Sequence, residues 1–168
     1  MSYVDTSIIV AALDKLDPRR RLAQEILEME GDKRVSELVL AELASTLSKS
    51  EGMLLELSEK VKVRKELTIP AVLLYILRRF KLSYRRVNGY KRVFMIDNLY
   101  SPFATAIDIS SKFKLKTLDL LHLAYLKTLK EQGEEINEII TADYDFEREK
   151  EAIMRELNIS VKYCQPLR

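Results

Sequence analysis

The chain has 168 residues, 47% of them hydrophobic, which is enough for one well-buried core and gives no reason to expect two domains. Few glycines and prolines, with abundant Leu, Glu, Lys and Ile, predict mostly helix with a few short strands and exclude fibrous and disordered classes. A lone cysteine, Cys164, excludes an internal disulfide and any zinc site built on several thiolates, and the net charge of +2 is small.

In chain order, the apolar patterns predict a first strand at residues 2–4, a buried helix at 8–13, an amphipathic helix from about 19 to 30, a second strand at 34–36 and a helix at 37–48. The run at residues 8–13 is far too short to span a bilayer, and no secretory signal precedes it. We therefore expect a cytoplasmic protein.

The middle of the chain, about residues 51–116, is interpreted as a helical insertion. Pro70 and Pro102 suit the first turn of helices, and Asn88-Gly89 is typical of a turn. The remaining patterns predict a helix at 118–130 ended by Gly133, a strand at 138–141, a helix at 146–157 and a strand at 159–163. Short apolar strands alternating with helices predict an α/β fold, a parallel sheet with helices on both faces.

Four acidic residues follow the predicted strands or begin the helices after them. Asp5 and Asp143 come just after strands, Asp119 starts a helix, and Glu42 lies one to two turns into the helix that follows the second strand. Functional groups of a parallel sheet gather at the carboxyl ends of its strands, so these carboxylates can converge. Each Asp alone is as easily explained by capping or turn formation, whereas Glu42, surrounded by apolar residues, is not.

Such convergence needs a compensating positive charge, because two carboxylates about 4 Å apart repel by roughly 4 kcal/mol at an effective dielectric of about 20. No lysine or arginine accompanies these acids in their motifs. A divalent cation satisfies carboxylate oxygens, activates water and stabilises the charge that develops on a phosphate during hydrolysis. The pattern therefore favours phosphodiester hydrolysis.

Four segments in order resemble the motifs of the PIN domain family, and most of all its VapC-type toxin branch. They are residues 3–7 (YVDTS), 36–43 (SELVLAEL), 118–124 (LDLLHLA) and 140–146 (ITADYDF). The resemblance covers the beginning and the last third of the chain and leaves about residues 51–116 unmatched in detail. Each motif alone is weak, and the ordered set carries the resemblance.

The resemblance implies a single domain over residues 1–168, folded as a three-layer α/β/α sandwich, and a ribonuclease that depends on Mg²⁺ or Mn²⁺. Members of this branch are often dimeric, and many are neutralised by a cognate antitoxin. The resemblance further assigns site residues, which are the metal-binding and catalytic Asp5, Glu42, Asp119 and Asp143, the supporting Thr6, Ser7 and Thr141, and Asp145 as an outer or alternative ligand.

Two further features have structural explanations that compete with functional ones. His122 is the only histidine and shares a helix side with Asp119, but its apolar neighbours predict that it packs within the helix layer and that catalysis does not depend on it. No acid interrupts residues 68–95, which favours a basic surface for RNA through Arg85, Arg86, Lys91 and Arg92. Its tyrosines suit base stacking or simple packing equally well.

Two alternative functions remain open at this point. A non-catalytic PIN-like module could bind RNA or a protein, although such a module gains nothing from a self-repelling cluster of acids. A metal-dependent phosphatase for small esters is the other alternative. The opening Asp5-Thr6-Ser7 lacks the second aspartate expected of an aspartyl-phosphate enzyme, which disfavours it.

Overall fold

The computed structural model describes residues 1–165 and is built on one five-stranded parallel sheet with the strand order β3-β2-β1-β6-β7. The strands are β1 (Ser2–Val4), β2 (Lys33–Val35), β3 (Leu82–Tyr84), β6 (Glu138–Thr141) and β7 (Ser160–Tyr163). Two more strands, β4 (Tyr90–Val93) and β5 (Asp97–Tyr100), form a separate antiparallel hairpin. The predicted α/β/α architecture is confirmed.

Helices connect the strands, as parallel pairing requires. They are α1 (Thr6–Leu13), α2 (Arg20–Glu28), α3 (Glu37–Lys49), α4 (Glu51–Val61), α5 (Thr68–Arg79), α6 (Ser101–Ile109), α7 (Thr117–Glu131), α8 (Tyr144–Arg148) and α9 (Lys150–Leu157). The predicted helix at 146–157 is thus two helices. Most predicted boundaries lie within two residues of the observed ones, and Gly133, with a φ of +96°, ends α7 as expected.

The first strand occupies the centre of the sheet, between β2 and β6. Tyr3 and Val4 are both completely buried, because each face of a central parallel strand is covered. Their neighbours Ile139 and Ile140 in β6 are buried too, so the core surrounds the strand that leads directly to Asp5. Asp5 and its surroundings are therefore held by the most constrained part of the sheet.

The middle segment differs in part from the predicted helical insertion. It contains three helices, α4, α5 and α6, but also the hairpin and strand β3, which pairs with β2 along the edge of the main sheet. Two residues separate the end of α5 from the start of β3. The second of them, Lys81, has a φ of +51°. So short a strand has no periodicity of its own, and its pairing with β2 defines it.

Candidate active site

Asp5 lies at the carboxyl end of β1, and its side chain is only 4% exposed. Its backbone N–H donates to the carbonyl of Ile140 in the neighbouring strand at 3.0 Å, which fixes the direction of the side chain. The Asp5 carboxylate accepts hydrogen bonds from the hydroxyls of Ser7 and Thr141, the latter at 2.7 Å. Ser7 and Thr141 thus fix the position of the Asp5 carboxylate.

Glu42 faces the same edge of the sheet from the second turn of α3. Its Oε2 accepts a hydrogen bond from the Thr6 hydroxyl and another from Nε2 of His122 at 2.8 Å. Burial alone would raise the pKa of Glu42, but these two hydrogen bonds and the charge of His122 lower it overall. The Thr6 hydroxyl therefore helps to orient Glu42.

His122 joins these two acids, and sequence reasoning missed this role. The side chain is 2% exposed, and Nε2 lies 3.1 Å from Asp5 Oδ1 as well as 2.8 Å from Glu42. Its Nδ1 shares a 3.0 Å hydrogen bond with the Tyr3 hydroxyl, which is also 2.8 Å from the Ser36 hydroxyl. Its position three residues after Asp119 was the available signal.

When protonated, His122 supplies a positive charge that the acid motifs lack. Burial alone would lower the pKa of His122, but the Asp5 and Glu42 carboxylates raise it by more, so the net shift is upward. Ionised carboxylates only accept hydrogen bonds, so the hydrogen between Nε2 and Glu42 belongs to the imidazole. One imidazolium between two carboxylates offsets part of their repulsion.

Asp119, the third residue of α7, has a buried carboxylate oxygen, Oδ2, without a hydrogen-bond partner within residues 1–165. Burial, followed by the charges of Asp143 and Asp5, raises the pKa of Asp119 to about 6. The charges of Asp143 and Asp5 thus act on Asp119 in an environment that disfavours its negative charge.

Asp143 lies two residues after the end of β6 and caps helix α8. Its carboxylate accepts from the backbone N–H of Asp145 at 2.8 Å, and its own N–H donates to the Thr141 hydroxyl at 2.9 Å. Because Thr141 also donates to Asp5, one threonine ties the two aspartates together. Asp143 and Asp5 belong to one connected site.

Asp145 faces cations at the rim of this site. Its Oδ2 lies 3.0 Å from Nζ of Lys116, and its Oδ1 lies 3.1 Å from the guanidinium of Arg148. The hydrogen bond from Lys116 is the main cause that lowers the pKa of Asp145. Both carboxylate oxygens of Asp145 are thus already paired.

The basic residues of the middle segment are divided into paired and unpaired ones. Arg85 lies 3.1 Å from Glu134, an acid that also binds the buried Arg34, and Lys91 pairs with Glu131. Glu131 ends α7, about 18 Å along the helix from Asp119 at 1.5 Å per residue. Arg86 and Arg92 are exposed and form no ion pair within residues 1–165.

The donor atoms of the site suit a hard divalent cation. One oxygen each from Asp5 and Glu42 and a ring nitrogen of His122 lie within 4.8 Å of one another, whereas Asp119 and Asp143 are not in this group. The charge of Asp5 still acts on Asp119, whose Oδ2 is buried without a hydrogen-bond partner within residues 1–165. Carboxylate oxygens are the donors that Mg²⁺ and Mn²⁺ prefer, and an ion would satisfy the Asp119 oxygen and offset the charge. The residues therefore fit the ion that the motifs imply.

The structure combines a parallel α/β fold with acidic residues at the carboxyl edge of its sheet, and sequence comparison gives the family. The sequence matches the PIN domain family over residues 2–151. The chain belongs to this family, as the four motifs indicated. The match runs through residues 51–116, so the middle segment lies inside the matched region. No curated protein matches the chain significantly.

Solved structures of other proteins share the fold, and three of them follow. VapBC2 from Rickettsia felis, bound to a DNA fragment from its promoter, is 20% identical, with a TM-score of 0.56 over 98% of this chain and 100% of that one. VapC20 of Mycobacterium tuberculosis, a sarcin-ricin loop cleaving toxin, is 15% identical, with a TM-score of 0.57 over 88% and 94%. VapBC-1 from nontypeable Haemophilus influenzae is 16% identical, with a TM-score of 0.52 over 97% and 98%.

These names agree with the toxin branch that the motifs resemble, and identities of this size show a shared fold. Within residues 1–165, no helix is both long and apolar enough to cross a membrane.

Proposed function

We propose that this protein is a metal-dependent endoribonuclease that hydrolyses phosphodiester bonds of RNA. The observation that carries the proposal is the buried, unpartnered Oδ2 of Asp119, on which the charges of Asp5 and Asp143 act. Leaving a buried charged oxygen without a partner costs free energy, and a binding-only module would gain nothing from it. A cation that binds during function would give the Asp119 oxygen a partner and offset this cost.

The four carboxylates of Asp5, Glu42, Asp119 and Asp143 are the proposed ligands of Mg²⁺ or Mn²⁺. When bound, such an ion supplies an activated water and stabilises the charge that develops on the phosphate. Ser7 and Thr141 fix Asp5 through hydrogen bonds, and Thr6 fixes Glu42. Asp145, with both oxygens paired to cations, supports the site from outside the ligand set.

We further propose that the protein is the toxin of a toxin-antitoxin pair, with RNA as substrate and a cognate antitoxin as partner. Membership of the PIN family and the VapBC and VapC names of the structural neighbours support this part. A cytoplasmic location and a homodimer complete the proposal, on the motif resemblance described above.

The test is cleavage of a labelled single-stranded oligoribonucleotide by the purified chain with Mg²⁺ or Mn²⁺ and with a chelator. We expect Asp5→Asn to abolish cleavage while the protein stays folded, because the substitution removes a ligand charge held by three side-chain partners. Asp108→Asn, on the exposed surface of α6, is the matched control and should cleave like wild type. Equal activity of Asp5→Asn and Asp108→Asn would disprove the assignment, and binding without cleavage by wild type would favour a non-catalytic module.

A further inference from the structure

The rim of the acidic site carries two cations that share one carboxylate. Lys116 and Arg148 each contact a different oxygen of Asp145, at 3.0 and 3.1 Å. The side chain of Lys116 is 80% exposed and that of Arg148 is 50% exposed, whereas Asp145 is largely covered. Arg148 is held further by a hydrogen bond from its guanidinium to the backbone carbonyl of Lys114 at 3.2 Å.

Lys116 occupies an unusual place for a lysine, the residue just before the first turn of α7. The amino end of a helix carries partial positive charge, so a cation there is unfavourable unless nearby anions compensate. The hydrogen bond to Asp145 raises the pKa of Lys116 most, and Asp119 and Asp143 add to the rise. The acids of the site thus attract the ammonium group in addition to its direct contact with Asp145.

A polyanionic strand that approaches these carboxylates needs a cation at the rim of the acidic site. Arg85 and Lys91 cannot provide it, because they pair with acids at the other end of α7. Lys116 is exposed, and exchanging its ion pair costs little, since exposed pairs contribute at most about 1 kcal/mol. After the exchange, Asp145 would still be paired with Arg148.

We infer that Lys116 leaves Asp145 to bind a backbone phosphate of the RNA strand at the rim of the acidic site, while Arg148 keeps Asp145 in place. This inference rests on the proposed function and identifies a substrate contact for it. Lysine binds phosphate as a compact point charge, so this contact does not depend on the base sequence of the RNA.

The experiment compares Lys116→Ala, Lys116→Arg and the control Lys114→Ala, which removes the same charge from an exposed residue two positions earlier. Cleavage and direct binding of a single-stranded oligoribonucleotide are measured over a series of salt concentrations. For Lys116→Ala we expect about a tenfold loss of kcat/KM, mostly through KM, the size of one charge-assisted contact. The salt slope should flatten by about 0.7, the value for one phosphate contact on a single strand.

Lys116→Arg should restore most of the affinity and the slope, and Lys114→Ala should behave like wild type. If Lys116 merely supports Asp145, Lys116→Ala will instead lower the melting temperature or shift the Mn²⁺ titration midpoint while the salt slope stays unchanged, which overturns the inference. An inactive wild type would refute the proposed function, yet the binding series would still decide whether Lys116 contacts RNA.

Discussion

Nε2 of His122 lies 2.8 Å from Oε2 of Glu42 and 3.1 Å from Oδ1 of Asp5, so one imidazole joins two carboxylates that come from different elements. The sequence favoured a divalent cation to offset the repulsion between the acids. His122, when protonated, also offsets part of this repulsion, and its Nδ1 shares a hydrogen bond with the Tyr3 hydroxyl. Several testable consequences arise from this arrangement.

We expect His122→Ala to destabilise the metal-free protein by about 3 kcal/mol, since removing one partner of a buried ion pair leaves the other uncompensated. Saturating Mg²⁺ should recover part of this loss, because the ion replaces the missing positive charge. Denaturant unfolding with Mg²⁺ and with a chelator measures both effects. The control is Thr128→Ala, which removes a buried hydrogen bond from the same helix and should cost about 1 kcal/mol regardless of metal. A loss of stability in His122→Ala that is the same with Mg²⁺ and with the chelator would contradict the prediction.

Asp119 should make the metal-free protein less stable as the pH rises. Its pKa is raised to about 6 from an ordinary value of 3.8, so the folded state prefers the protonated acid. The stabilisation from this proton is present below about pH 4 and is lost as the pH rises through about 6. Asp119→Asn, which stays neutral, should therefore match wild type near pH 4 and exceed it by about 1 kcal/mol at pH 8, after discounting for solvent screening.

The measurement for Asp119 is the free energy of unfolding of both proteins across this pH range with a chelator present. A difference that does not vary with pH would show that the Asp119 charge is not the cause. His122, whose pKa is also raised, adds a loss in the same direction at higher pH. This loss is smaller in Asp119→Asn, because the Asp119 charge is one of those that raise the pKa of His122.

Tyr3→Phe should slow catalysis without weakening substrate binding. The ring is completely buried and its hydroxyl contacts Ser36 and His122, so phenylalanine keeps the packing and removes only the hydroxyl. We expect a loss of about 1–2 kcal/mol in stability and a lower kcat at unchanged KM, because the imidazole is less firmly oriented. Tyr100→Phe, which also loses hydroxyl bonds but lies outside the acidic site, should lower stability alone. Equal kcat values for the two variants would refute the positioning role.

The basic middle segment should contribute to RNA binding only through its unpaired members. Arg86→Ala with Arg92→Ala should flatten the salt dependence of RNA affinity by about 1.4, which is two contacts at about 0.7 each. Arg85→Ala with Lys91→Ala should leave the slope nearly unchanged, because these cations are paired with Glu134 and Glu131. Binding titrations at several salt concentrations compare the two double variants. Equal slopes in both would assign the segment to a solvated face or a subunit contact.

The sequence by itself determined the elements that carry the acids. An apolar run before Asp5 and another before Asp143 defined buried strands, and in a parallel sheet the residues after such strands must share one edge. The amphipathic patterns around Glu42 and Asp119 placed these residues early in helices that start at the same edge. Local periodicity was sufficient for these conclusions, because each depends on a few consecutive residues.

Only the tertiary structure decided which side chains meet. His122 contacts Glu42, which lies 80 positions away in the sequence, and Tyr3, which lies 119 positions away. Likewise, Arg85 is paired with Glu134, 49 residues further along the chain, and Lys91 with Glu131, 40 residues further along. Strand β3 exists through its pairing with β2. Such choices depend on the packing of distant elements, and no local pattern of residue types encodes them.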